Sequence, residues 1–133
     1  MSEQLFVYGT LRRGTQPPEL VVPLRRCYNR GTGTVRGCLY DAGSYPAAIL
    51  DSTAAETWIR GEILELPEDW DWAPCDRYEG YTPKSPEHSL FTRVRAAVRT
   101  QDGNEIPCWI YVYNRDTTHL PLVQGGIWLP KKR

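Results

Sequence analysis

The sequence predicts an α+β domain built on a small, mostly antiparallel, barrel-like sheet with one or two short helices. Three observations carry that prediction. Apolar runs of strand length are stopped by Gly or Pro, the segment 91–100 alternates apolar and charged residues, and an Asp-Gly pair joins it to a further apolar run. Strands that outnumber helices point to an antiparallel sheet with helices set to one side. At 133 residues the chain reads as one domain, 1–133, and a domain of that size buries roughly two-thirds of the surface its unfolded chain exposes.

The elements follow in order. Leu5-Phe6-Val7-Tyr8 is short, unbroken and stopped by Gly9, which suits a strand buried on both faces. Residues Glu19 to Arg26 suit a short helix with Pro18 at its first position, although Pro23 then falls inside it. Thr34 to Tyr40 reads as a strand with an internal Gly37, closed by the turn-rich Asp41-Ala42-Gly43-Ser44. Trp58 to Leu66 reads as another strand, ended by Pro67. Pro74 to Glu79 suits a helix of one to two turns, with Asp76 near its positive end and Gly80 as its stop. In Phe91 to Thr100, Val94, Ala96 and Val98 share one face while Arg93, Arg95 and Arg99 share the other. Asp102-Gly103 then turns the chain into Cys108 to Tyr113, with Pro107 restricted to a bulge, an edge or the first position of that strand.

Composition narrows the partners. Sixteen Lys plus Arg balance sixteen Asp plus Glu, which argues against a general affinity for nucleic acid or anionic lipid and favours a neutral small-molecule or protein partner. No apolar run approaches the roughly 20 residues that span a bilayer, and Met1-Ser2-Glu3-Gln4 lacks the basic start of a secretory signal, so a cytoplasmic protein is expected. There Cys27, Cys38, Cys75 and Cys108 are expected as reduced packing residues, since none has zinc-ligand spacing. His88 and His119 lie in different segments, so neither a metal nor a cofactor is expected.

Three segments could carry chemistry. Gly9, directly after a strand, lets the backbone turn and lets a ligand approach the N–H groups of Gly9, Thr10 and Leu11, a nest suited to a carboxylate or an oxyanion. A turn that merely reverses the chain explains the same residues. Glu79 ends its helix facing the last carbonyls, and rings such as Tyr78 and Tyr81 would exclude water from it; both effects raise a carboxyl pKa toward the range useful for proton transfer. An exposed glutamate closing a surface helix is the plainer alternative, and a pairing of Arg93 with Asp76 or Glu79 would act on that pKa in the opposite direction. In Tyr45-Pro46-Ala47, Pro46 holds Tyr45 extended, which suits a ring presented as a pocket wall.

Taken in this order the segments resemble the gamma-glutamylcyclotransferase-like superfamily. The resemblance is carried by Phe6-Val7-Tyr8-Gly9-Thr10-Leu11-Arg12-Arg13-Gly14, Leu39 to Ala47 with its Tyr45-Pro46, Gly61-Glu62-Ile63-Leu64, Asp76-Arg77-Tyr78-Glu79-Gly80, Phe91-Thr92-Arg93 and Trp109-Ile110-Tyr111-Val112-Tyr113. It spans nearly the whole chain, with Cys75 and Phe91 standing where leucine and tyrosine are common, and without the Asn often found after Gly14. What it implies is a β-barrel-like α+β fold and release of 5-oxoproline from a gamma-glutamyl amine or gamma-glutamyl amino acid. By that likeness Tyr8, Gly9, Thr10 and Leu11 hold the gamma-glutamyl group, Glu79 is the catalytic acid/base, and Tyr45 with Tyr111 or Tyr113 lines the pocket. The alternative is a small-ligand-binding or interaction domain of the same fold without turnover; a hydrolase or transferase acting on another amide is a third reading. The enzyme reading requires Glu79 and the early glycine turn to share one water-poor hollow large enough for a glutamyl unit.

Overall fold

The computed structural model describes residues 3–9, 11, 16–50 and 57–129. Along these residues run β1 (Gln4–Val7), α1 (Pro18–Arg25), β2 (Tyr28–Arg36), β3 (Cys38–Asp41), β4 (Pro46–Ile49), β5 (Trp58–Glu65), α2 (Ala73–Glu79), β6 (Phe91–Thr100) and β7 (Glu105–Tyr113), with single 3-10 turns at Pro86–His88 and Gln124–Gly126. Five strands close into a barrel in the order β1-β5-β2-β6-β7. Every neighbouring pair is antiparallel except the closing seam, where β1 runs parallel to β7 and meets it at Leu5 opposite Trp109. Closure removes the open sheet edges that would otherwise invite pairing with another chain.

The two-faced burial expected of the first strand follows from this position. Phe6 and Tyr8 join the core formed with Val35, Ile59, Ile63, Val98 and Ile110, while Leu5 and Val7 join a second core with Leu20, Leu24, Leu64, Cys75 and Tyr111. The alternating strand keeps its assigned ends as β6, paired from Phe91 opposite Tyr113 to Arg99 opposite Glu105. Its partner β7 begins earlier than expected, and Pro107 sits within it opposite Ala97. The proline is tolerated because the far side of β7 is paired only at Trp109, so no ladder bond is asked of residue 107 there. Pro23 likewise lies inside α1, which Leu20 and Leu24 hold down by burying one turn apart.

One expected strand is two. The segment read as Thr34 to Tyr40 breaks at Gly37: β2 ends in the barrel, and β3 pairs instead with β4, which the sequence reading did not include, from Cys38 opposite Ile49 to Asp41 opposite Pro46. At the break a Cβ on Gly37 would lie 2.4 Å from the Ile49 carbonyl oxygen, so only glycine lets the two chains pass this closely. The β3–β4 ladder brings Leu39 and Ala48 onto the first core and delivers Tyr45 and Pro46 to the mouth of the barrel beside β1.

Candidate active site

Helix α2 is built as its residues dictate. Pro74 occupies its first turn, and Gly80, at φ +70°, ends it with the Gly80 amide donating to the Arg77 carbonyl and the Tyr81 amide donating to the Asp76 carbonyl at 2.8 Å. That ending satisfies two of the last carbonyls of the helix. Cys75 is fully buried against the second core and fixes the roll of the helix. With that roll set, Asp76 is also buried and Glu79, one turn on, reaches a cavity lined by Phe6, Tyr8, Gly9, Leu11, Tyr45, Pro46, Phe91 and Tyr111.

The Glu79 carboxyl has no hydrogen-bond or ion-pair partner among the described residues, and burial alone pushes its pKa from 4.5 up to about 8. The residue as a whole is only partly buried, because its carboxyl opens onto the cavity rather than onto packed side chains. The rings that dry it are not those of its own helix. Tyr78 is exposed and Tyr81 packs on Arg93; the aromatic wall comes from β1, the loop before β4, β6 and β7.

Arg93 settles on Asp76. Its Nε donates to Oδ1 at 3.0 Å and its Nη2 to Oδ2 at 3.2 Å, while the Tyr111 hydroxyl donates to the same Oδ1 at 2.6 Å. The Tyr111 carbonyl in turn accepts the Tyr8 hydroxyl at 2.5 Å. Burial raises both tyrosine hydroxyls well above their ordinary range. They therefore stay neutral donors beside the carboxyl.

Among the residues singled out from the sequence, Tyr8, Gly9, Leu11, Tyr45, Tyr111 and Glu79 meet at this one cavity. Thr10 lies outside the described residues. Tyr113 stands behind the wall, packed edge-on against Phe91 at 5.4 Å between ring centroids and against Tyr45 at 6.5 Å. At Gly9 φ is not positive, and a Cβ there would lie 2.6 Å from Cγ of Pro46. The glycine is where the Tyr45-Pro46 loop seats on the Tyr8 loop, so it joins two segments of the site by close packing. Phe6, Phe91 and Pro46 also line the cavity, and only their shared approach to the barrel mouth marks them out. The cavity is narrower than a glutamyl unit requires: about 20 Å³ is enclosed, and the space out to its open mouth is about 340 Å³. The enclosed part has room for about one water, because the rings of Phe6, Tyr8, Tyr45, Phe91 and Tyr111 fill it.

Fold and site together define a small closed-barrel protein with a desolvated carboxyl, unpaired among the described residues, in a tyrosine-walled cavity. The chain belongs to the gamma-glutamyl cyclotransferase, AIG2-like family, whose model matches residues 5–130. It is 31% identical over 113 residues to the gamma-L-glutamyl-butirosin B gamma-glutamyl cyclotransferase of Niallia circulans, a match covering 84% of this chain and 67% of that protein. Its fold is similar to that of an AIG2-like protein from Mus musculus, at a TM-score of 0.70 and 21% identity, over 99% of this chain and 98% of the other. It is also similar to YkqA from Bacillus subtilis, at a TM-score of 0.67 and 22% identity over 96% of this chain, which spans only 40% of the YkqA chain. No helix among the described residues is long and apolar enough to cross a membrane.

Proposed function

We propose that this protein releases 5-oxoproline from a gamma-glutamyl amine or gamma-glutamyl amino acid, with Glu79 transferring the proton. The observation that carries the reading is the Glu79 carboxyl itself: unpaired among the described residues, desolvated to a pKa of about 8, and facing the same cavity as Tyr8, Gly9, Leu11 and Tyr45. Family membership and the name of the Niallia circulans relative support the reaction class.

The chemistry asks for little else. In a gamma-glutamyl amide the α-amine stands at five-membered-ring distance from the gamma carbonyl, so a correctly folded substrate attacks itself and much of the entropy cost of a bimolecular step is removed. The Glu79 carboxylate takes a proton from the α-ammonium, and the freed amine forms the new C–N bond at the gamma carbon. The old amide C–N bond then breaks, the departing amine takes that proton back from Glu79, and the second proton, shed by the ring nitrogen as it becomes the lactam N–H, leaves with the amine as its ammonium. Burial favours the neutral acid, which is the form that must reprotonate the leaving group. Because the enclosed space is small, the glutamyl unit occupies the mouth, with its reacting end at Glu79 and the Tyr45 and Phe91 rings displaced around it.

The test is a panel of gamma-glutamyl amines, gamma-glutamyl amino acids and glutathione, assayed for 5-oxoproline by mass spectrometry. At least one substrate is expected to give product, and Glu79→Gln to lower turnover on the order of 10²- to 10⁴-fold, because an amide cannot take up and return the proton. For the wild type, kcat/KM should rise with pH through about 8 as free Glu79 ionises. The alternative is a ligand-binding domain of the same fold; binding without product, unaltered by the substitution, would establish it.

A further inference from the structure

Resting on the reading of Glu79 as the acid/base, we propose that Asp76 is its positioning residue. Asp76 holds the Arg93 guanidinium away from Glu79 and, through Tyr111, ties α2 to the cavity wall.

The geometry is asymmetric along one helix face. Asp76 and Glu79 are three residues apart, a spacing that leaves their Cβ atoms roughly 5–6 Å from each other. Arg93 contacts only the first of them. Its guanidinium carbon lies 4.0 Å from the Trp72 ring centroid, 5.1 Å from that of Trp109 and 5.5 Å from that of Tyr81, so three rings wall it in. Glu79 is the carboxylate one turn along α2, to which a cation deprived of Asp76 would turn. An opposite charge brought within about 4–6 Å of a carboxyl lowers its pKa by about 1–3 units, so that move would offset much of what burial does to Glu79.

The other groups around Glu79 do not compete. From the residue just after β1 and from β7 come the Tyr8 and Tyr111 hydroxyls, from the loop before β4 comes Tyr45, and burial raises the pKa of all three. On its own helix Cys75 is pushed up by burial to about 12, and Cys27, just beyond the end of α1, is pushed up to about 11. All of these are neutral near pH 7, and among the described residues named around this face of α2 the ion pair is Asp76 with Arg93; in the wild type the raised pKa of Glu79 comes from burial. Asp76 also accepts the Tyr111 hydroxyl while the Tyr111 carbonyl accepts Tyr8, so the same carboxylate anchors two residues of the cavity wall.

The experiment is a pH titration of the full chain with ¹³C-labelled glutamate carboxyls, followed by NMR, the Glu79 signal being identified by its loss in Glu79→Gln. In the wild type Glu79 should titrate near 8. In Asp76→Asn it should titrate lower by about one unit or more, with the rising limb of kcat/KM moving to lower pH alongside it. In the double variant Asp76→Asn, Arg93→Met it should return to the wild-type position, since neither charge remains. In Arg93→Met alone it should move upward, because Asp76 is left unpaired one turn away. If Asp76→Asn does not fold by circular dichroism, the upward shift in Arg93→Met carries the test. A Glu79 signal that stays at the wild-type position in every folded variant, or that moves downward in Arg93→Met, overturns the proposal. Full turnover in Glu79→Gln would instead sink the reading of Glu79 as acid/base, whatever the titration gives.

Discussion

Asp76 and Glu79 are both acidic, both on α2 and only three residues apart, yet one is clamped and the other has no such partner among the described residues. Asp76 receives a two-point bond from Arg93 and a third from Tyr111, and its side chain is 9% exposed. Glu79 receives none of these and faces a small cavity walled by aromatic rings. The difference teaches that the helix assigns neither role. Partners arriving from β6 and β7 do, and a carboxyl buried without partners meets its desolvation by holding its proton.

The comparison can be sharpened by asking what each acid does for stability. For Glu79 the folded pKa lies above the unfolded one, so the folded state binds the proton more tightly. The contribution is fully present below about 4.5 and is lost as pH rises through about 8. At 1.36 kcal/mol per unit, the rise from 4.5 to about 8 sets a ceiling of about 5 kcal/mol on that loss. Glu79→Gln should therefore unfold at a higher temperature than the wild type at pH 9 and at nearly the same temperature at pH 4.5. Melting curves at the two pH values check this, and equal melting temperatures at pH 9 would mean that Glu79 is solvated.

Asp76 should behave in the opposite sense. Asp76→Ala leaves Arg93, its side chain only 14% exposed, without its counter-ion, and a loss of about 3–5 kcal/mol is expected from urea denaturation at neutral pH. A loss under about 1 kcal/mol would place this pair with solvent-exposed ion pairs such as Arg26 with Asp69. The smallest effect concerns the wall that separates the two acids from solvent. In Gly9→Ala the new methyl would meet the Pro46 ring, and the strain is expected to cost about 1–3 kcal/mol and to raise KM as the Tyr45-Pro46 loop is pushed away from the cavity. An unchanged KM in a folded variant would show that the loop does not shape the binding mouth.

Much of this architecture was legible locally. Pro74 and Gly80 bracket α2, the alternation from Phe91 to Thr100 marks β6 at its observed ends, and Asp102-Gly103 makes the turn into β7 with Gly103 at φ +88°. The family likeness placed Tyr8, Gly9, Leu11, Tyr45, Tyr111 and Glu79 on one list, and all six line the same cavity. The division at Gly37 was not legible, because a glycine inside a strand pattern does not say whether the chain continues in its sheet or crosses to another. The purpose of Gly9 was hidden for the same reason: Pro46, which requires it, is far along the chain.

By itself, then, the sequence determined the short-range features: where strands and helices begin and end, and which residues have side chains suited to proton transfer. Tertiary structure alone decided that Arg93 would take Asp76 and not Glu79, that Tyr113 would stand behind Phe91 rather than in the cavity, and how little room the rings would leave. The physical reason is range. Propensity, capping and periodicity act over a few residues, whereas the charge state of a buried carboxyl depends on which distant side chains the closing barrel carries to within about 3 Å of it.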